Sequence, residues 1–261
     1  MSTIERTFAR LRAEGRAALM PFLTMGFPER DSALELVPAV VEGGADLVEL
    51  GVPFSDPLAD GATIQAASQR ALENGMTLAL CLEQAAALRA RGITVPFVLM
   101  GYYNPILQMG EAQFAERAAA AGIQGVIVPD LPPEEAGALQ EALRRHGLDL
   151  IFLLAPTSDE ERVRLVAQRA SGFIYLVSLT GVTGARDRLP PGLEAFVARV
   201  RRATSLPLAV GFGISRPEHV AQVARVADGV IVGSALIRAI EQAANPAEAA
   251  RDFVARLRAG G

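Results

Sequence analysis

The sequence predicts an α/β fold, a single eight-stranded parallel β/α barrel formed as one domain over residues 1–261, and three observations carry that expectation. Short apolar runs rich in branched residues recur eight times along the chain. Segments of Ala, Leu, Glu and Arg with helical spacing lie between them. The runs are nearly continuous in apolar character, as parallel strands covered on both faces must be, whereas half-exposed strands alternate. An open, doubly wound sheet satisfies the same spacing and is the alternative.

Taken in order, MSTIERTFARLRAEGR at 1–16 reads as an added amphipathic helix. It carries Glu5 and Glu14 among its arginines and lacks the apolar run of a secretory signal. ALMPFLTM from Ala18 is the first strand and DLVEL from Asp46 the second. The third, TVPFVLM, starts only at Thr94, which leaves room for an added loop and helices after strand two. GVIVP from Gly125 and DLIFLLA from Asp149 are the fourth and fifth, with the helical segment EEAGALQEALRRHG from Glu134 between them. FIYLVS from Phe173 is the sixth. GARDRLPPG, 184–192, follows it with glycine at both ends and no apolar periodicity, and reads either as a lid or as a surface loop without a role. PLAVGFG from Pro207 and DGVIVG from Asp228 complete the set. The Ser-x-x-Glu patterns at 158–161 and 215–218 predict capping boxes at helix starts.

At 51% hydrophobic the chain can bury a sizeable core. Its net charge of -4 gives no broad electrostatic reason to bind nucleic acid or an anionic membrane. No apolar stretch approaches a membrane span. A lone cysteine, Cys81, excludes an internal disulfide and a cysteine zinc cluster, so core packing and a cytoplasmic setting are expected. All 25 basic residues are Arg. Without lysine there is no Schiff base, no Walker-type phosphate lysine and no covalently held pyridoxal phosphate. His146 and His219 fall in helical segments and are expected at the surface or at helix ends, and with no ligand spacing nearby no metal site is expected.

A β/α barrel works at the C-terminal ends of its strands. Glu49, between Val48 and Leu50, and Asp60, at the end of the following loop, both fall on that side. Burial there would raise a carboxyl toward the range useful for proton transfer. An ion pair with an Arg is the plain alternative for Glu49, and a loop or cap role for Asp60; Asp56 reads as a turn residue. Glycine-rich turns at 181–185, 211–215 and 233–235 follow the last three strands. They suit a phosphate, with Gly213 and Ser234 expected to open helices, or else are ordinary tight turns. Phe22, Tyr175 and Phe212 are candidates for a flat, apolar pocket, with core packing the alternative.

Five stretches together carry a resemblance: ELGVPFSDPLADG at 49–61, MGYYNP at 100–105, PDLPPEE at 129–135, SLTGVTGAR at 178–186 and GFGIS at 211–215. In order and spacing, from PFLT at 21–24 through GSA at 233–235, they resemble the α subunit of tryptophan synthase. The resemblance implies a barrel with added loops or helices after strands two and six. It also implies retro-aldol cleavage of indole-3-glycerol phosphate to indole and glyceraldehyde 3-phosphate. Glu49 and Asp60 match the family's catalytic acids, Gly184, Gly213, Gly233 and Ser234 its phosphate contacts, and Phe22, Tyr175 and Phe212 its pocket aromatics. A β-subunit partner in an α2β2 heterotetramer is implied, with pyridoxal phosphate in that partner and no cofactor here. Pro53, Pro57, Leu58, Pro105 and Pro132 then read as partner contacts or as loop packing. Another phosphate-binding barrel isomerase or cyclase, or a non-catalytic regulatory subunit, are the competing readings.

Overall fold

The computed structural model describes residues 1–177, 192–211 and 213–260. Among these residues nine strands form one sheet: β1 (Ala18–Thr24), β2 (Val48–Gly51), β3 (Phe97–Met100), β4 (Gly125–Ile127), β5 (Asp149–Ile151), β6 (Leu153–Leu154), β7 (Ile174–Val177), β8 (Leu208–Gly211) and β9 (Gly229–Val232). Every neighbouring pair is parallel, in the order β5-β4-β3-β2-β1-β9-β8-β7-β6. The two ends of that order are halves of one extended segment, interrupted only at Phe152. Its carbonyl accepts from the Tyr175 N–H at 3.0 Å, so the ring closes through this segment. The eight expected strands are all present, the fifth as β5 and β6, and the open sheet is excluded.

Helix α1 (Thr3–Ala13) precedes β1. It starts in a capping box, with Ser2 Oγ accepting from the Glu5 N–H and Glu5 Oε2 from the Ser2 N–H. Its apolar face, Ile4, Phe8 and Leu11, packs on the inward side chains at the strand starts, with Phe8 and Phe173 ring centroids 5.7 Å apart. Outside the ring run α2 (Ala33–Glu42) after β1, α3 (Ala62–Glu73) and α4 (Leu78–Ala90) after β2, and α5 (Tyr103–Met109) and α6 (Glu111–Ala120) after β3. Then come α7 (Gly137–Arg145), α8 (Glu160–Arg169) and α9 (Leu193–Arg201). They are followed by α10 (Pro217–Ala224), α11 (Ser234–Glu241) and α12 (Pro246–Arg258). The expected addition after the second strand is α3 and α4. The one expected after the sixth falls on 178–191, outside the described residues, as does the 184–191 part of the candidate lid.

Three local expectations are corrected. The cap of α8 is Asp159, whose Oδ1 accepts from the Arg162 N–H at 2.7 Å, while Ser158 Oγ turns back to the Ala155 N–H. Neither Ser215 nor any other side chain caps α10, whose cap position is Arg216. A Ser-x-x-Glu pattern cannot tell which of two adjacent polar residues takes the extended cap conformation. His219 is buried, on the face of α10 that also buries Val220 and Val223, and its Nδ1 accepts from the Ser215 N–H at 3.4 Å. His146, by contrast, is exposed at the end of α7, and Cys81 is buried as expected. No described helix is long and apolar enough to cross a membrane.

The end of the ring away from the strand C-termini is held by charge. Asp46 is buried and accepts from Arg16 Nη1 at 2.8 Å, from Arg258 Nη1 at 2.9 Å and from the Leu19 N–H at 2.9 Å, tying β1, β2 and α12 together. Asp46→Ala leaves the partly buried Arg258 guanidinium without its acid and Arg16 with Glu14 alone, and should lower the unfolding free energy by about 2–4 kcal/mol in urea denaturation. A loss under about 0.5 kcal/mol, the usual range of a surface change, would show that this cluster does not hold the ring.

Candidate active site

A cavity of about 190 Å³ opens at the C-terminal ends of the strands. Phe22 from β1, Glu49 from β2, Tyr175 from β7, Gly211 from β8 and the Gly233–Ser234 junction after β9 all line it, as do Asp60 and Ile64 at the entry to α3. The structure thus brings together six of the residues singled out in the sequence: Phe22, Glu49, Asp60, Tyr175, Gly233 and Ser234, with Gly213 as a seventh. Gly184 and Phe212 lie outside the described residues.

Glu49 sits in register between Phe22 and Val98, so both lateral neighbours are apolar. It is fully buried, and neither carboxylate oxygen has a hydrogen-bond partner among the described residues. The ion pair with an Arg is therefore not formed there. Burial, followed by the nearby charge of Asp60, pushes its carboxyl up to about 8. At neutral pH Glu49 holds its proton.

Asp60 enters from the 52–61 loop and is half-buried. Burial raises its carboxyl to about 6, against the lowering effect of a hydrogen bond from Tyr102 Oη at 3.1 Å. The same hydroxyl accepts from the Ala59 N–H at 3.0 Å, and the Tyr102 ring stacks on Phe54 with centroids 4.9 Å apart. One tyrosine thus pins both limbs of the loop. It stands in the quoted MGYYNP motif, but sequence reasoning assigned it no role. Its partners are some 40 residues away in the chain, and no local pattern marks them. Asp56 is exposed and bonded to Ser55 Oγ at 2.6 Å, the turn residue expected.

Two close approaches shape the walls. A Cβ on Gly51 would stand 2.4 Å from Phe22 Cζ, and one on Gly211 would stand 2.6 Å from Tyr175 Oη. Glycine at these strand ends lets each ring lie across its neighbouring strand. Burial, and then the charges of Glu49 and Asp60, push the Tyr175 hydroxyl well up, so it stays neutral beside them. At the far edge Ser234 opens α11 as expected, with Gly233 at the cap and no side chain capping the first turn, so its first N–H groups have no side-chain acceptor at the cavity wall. Gly213 does not open a helix: α10 starts at Pro217, and Gly213 is a left-handed turn residue at φ 64° in the lead-in. Arg238, also on the cavity wall, was missed. An Arg four residues after a serine in a helix reads as a solvated face unless the cavity is known.

A closed parallel ring with a protonated buried carboxyl and an uncapped helix start on one strand-end cavity is the make-up of a β/α-barrel enzyme. Comparison with known proteins narrows this. A family model, tryptophan synthase alpha chain, matches residues 8–259. The tryptophan synthase alpha chain of Roseiflexus sp. (strain RS-1) is 62% identical over 260 residues, covering 99% of this chain and 100% of the relative. That of Chloroflexus aurantiacus is 60% identical over 242 residues, covering 93% and 91%. Among solved structures, the tryptophan synthase subunit alpha of Legionella pneumophila superposes with a TM-score of 0.92 at 40% identity, covering 100% of this chain and 98% of that one. A chain of Mycobacterium tuberculosis tryptophan synthase gives 0.93 at 39%, covering 99% and 98%. The chain belongs to the tryptophan synthase alpha chain family.

The raised Glu49 carboxyl has a consequence for stability. The folded state binds this proton more tightly than the unfolded chain, so ionising Glu49 opposes folding, and stability is lost as pH rises through about 8. Glu49→Gln removes that slope. It should match the parent near about pH 5 and exceed it at about pH 9, by a margin on the order of 2–4 kcal/mol, in urea unfolding at the two values. An equal margin at both would show that Glu49 does not titrate high.

Proposed function

We propose that the chain cleaves indole-3-glycerol phosphate to indole and glyceraldehyde 3-phosphate by acid–base chemistry, with Glu49 and Asp60 in separate roles. The observation that carries the reading is the isolated Glu49 carboxyl, protonated at neutral pH and facing a cavity that also holds Asp60. Breaking a carbon–carbon bond beside a hydroxyl needs an electron sink. With no lysine in the chain, an imine on the protein is not available. The substrate supplies the sink once its ring carbon bearing the side chain is protonated, because the resulting indolenine C=N accepts the electron pair of the breaking bond.

Glu49 gives that proton. As carboxylate it then takes the proton of the side-chain hydroxyl, whose oxygen becomes the aldehyde carbonyl while the bond pair restores indole. The proton count closes and Glu49 returns to its starting state. Asp60, ionised and held by Tyr102, accepts from the indole N–H and offsets the positive charge that develops on it. The backbone at Gly213, Gly233 and Ser234, together with Gly184, binds the phosphate. Phe22, Tyr175 and Phe212 flank the ring. Membership of the family also supports a β-subunit partner, an α2β2 assembly, pyridoxal phosphate in that partner and a cytoplasmic setting. Leu58, 94% exposed on the loop that carries Asp60, suits a partner contact, whereas Pro53 is buried within this chain and is loop packing.

Release of glyceraldehyde 3-phosphate from indole-3-glycerol phosphate by the purified chain is the direct test; no release would overturn the reading. Glu49→Gln should lose activity by several orders of magnitude with substrate binding kept, and Asp60→Asn should lose less. The profile of kcat/KM against pH should be a bell, falling below about 6 as Asp60 is protonated and above about 8 as Glu49 loses its proton. Tyr102→Phe removes a hydrogen bond that favours the Asp60 carboxylate, so its acid limb should move to higher pH. An unmoved limb would separate Asp60 from that titration.

A further inference from the structure

The cavity wall carries a cation that the cleavage scheme leaves unused. Arg238 lies one helical turn beyond Ser234 on α11, on the face that looks into the cavity. Among the described lining residues it is the one basic side chain, set against the two acids Glu49 and Asp60. It is half-buried and makes no ion pair with a described carboxylate. Its side-chain bond is from Nη1 to the neutral Thr63 Oγ1, at 3.3 Å. A guanidinium held this way keeps most of its donors, and its whole charge, uncommitted beside an uncapped helix start.

Thr63 gives the contact a second meaning. It lies in the first turn of α3, directly after the Asp60–Gly61 entry. Ile64, its neighbour, comes within 3.8 Å of where a Cβ on Gly233 would stand, so the first turns of α3 and α11 abut. The Arg238–Thr63 bond therefore joins the helix that presents Ser234 to the helix whose lead-in carries Asp60.

We propose that Arg238 is a positioning residue for the phosphate monoester end of the substrate, and that its bond to Thr63 carries occupancy of that end to Asp60. The proposal rests on the cleavage reaction above and adds a residue and a coupling to it. A dianion at the α11 start draws the free donors of Arg238, which fixes the guanidinium. The bond to Thr63 then fixes the first turn of α3 and the carboxyl that precedes it. Remote binding energy is in this way spent on placing the group that meets the indole N–H.

Inorganic phosphate is the probe for the first half, titrated calorimetrically into the wild-type chain and into Arg238→Met and Arg238→Lys. Arg238→Met should weaken phosphate binding roughly ten- to a hundredfold, the effect of losing a charge-assisted contact, and Arg238→Lys should recover part of it. In turnover, Arg238→Met should raise KM. Thr63→Val keeps the charge and should lower kcat with phosphate affinity held within about threefold. Equal phosphate affinity in Arg238→Met and wild type overturns the assignment, and an unchanged kcat in Thr63→Val overturns the coupling. If circular dichroism shows Arg238→Met unfolded, Arg238→Gln is judged by the same criteria. Arg238-dependent phosphate binding in a wild-type chain that releases no glyceraldehyde 3-phosphate would overturn the reaction and support the assignment.

Discussion

Inside the barrel wall, Glu49 holds a carboxyl between Phe22 and Val98, at a place where nothing described offers it a hydrogen bond. Ionising it there costs several kcal/mol, so it keeps its proton until pH is well above the ordinary carboxylate range. The surrounding arrangement preserves that isolation. The one arginine on the described cavity wall is turned to Thr63, and the tyrosine nearest in charge stays neutral. A guanidinium beside Glu49 would make a more comfortable ion pair and a useless acid. Poor solvation is thus the condition for a proton donor at neutral pH.

Asp46 and Asp228 at the strand starts and Asp60 at the strand ends meet opposite surroundings. At the strand starts burial also pushes Asp228 up, but Arg201, the Leu208 N–H and Arg12 outweigh it and hold the carboxyl below its ordinary value. Asp46 has its own pair of arginines. At the strand ends Asp60 has one neutral tyrosine donor, and burial wins. Arginine charge is therefore spent on stability at Asp46 and Asp228 and withheld at Asp60. Helix α1 adds an apolar plug at the stable end, leaving the opposite end for the cavity.

The eight strands were legible because each is a near-continuous apolar run, a pattern that parallel strands under helices share and that survives without knowing the neighbours. Glu49 stood out as a candidate because an acid next to the end of such a run has few structural uses. Asp60, a loop acid with a plain turn reading, stood out through its place at the strand C-terminal side and the resemblance carried by 49–61. The short helix α5 was not legible, since the seven residues Tyr103–Met109 cannot display a helical period. The break of the fifth strand at Phe152 and the true cap of α8 depend on hydrogen-bond geometry that adjacent polar or apolar residues leave undetermined. Tyr102 and Arg238 were invisible for a stronger reason: each acts on a residue dozens to over a hundred positions away.

By itself, then, the sequence determined the period of the elements and the chemical inventory: eight strands, carboxylates at both of their ends, glycines at three turns and arginine as the sole strong base. Only the tertiary structure decided which of those groups are partners. Proton affinity depends on desolvation and on charges within a few ångströms, and both are properties of neighbours brought together by closing the ring. The identical Asp side chain is lowered at 228, where two arginines and a backbone N–H outweigh burial, and raised at 60, where burial outweighs a single tyrosine hydrogen bond.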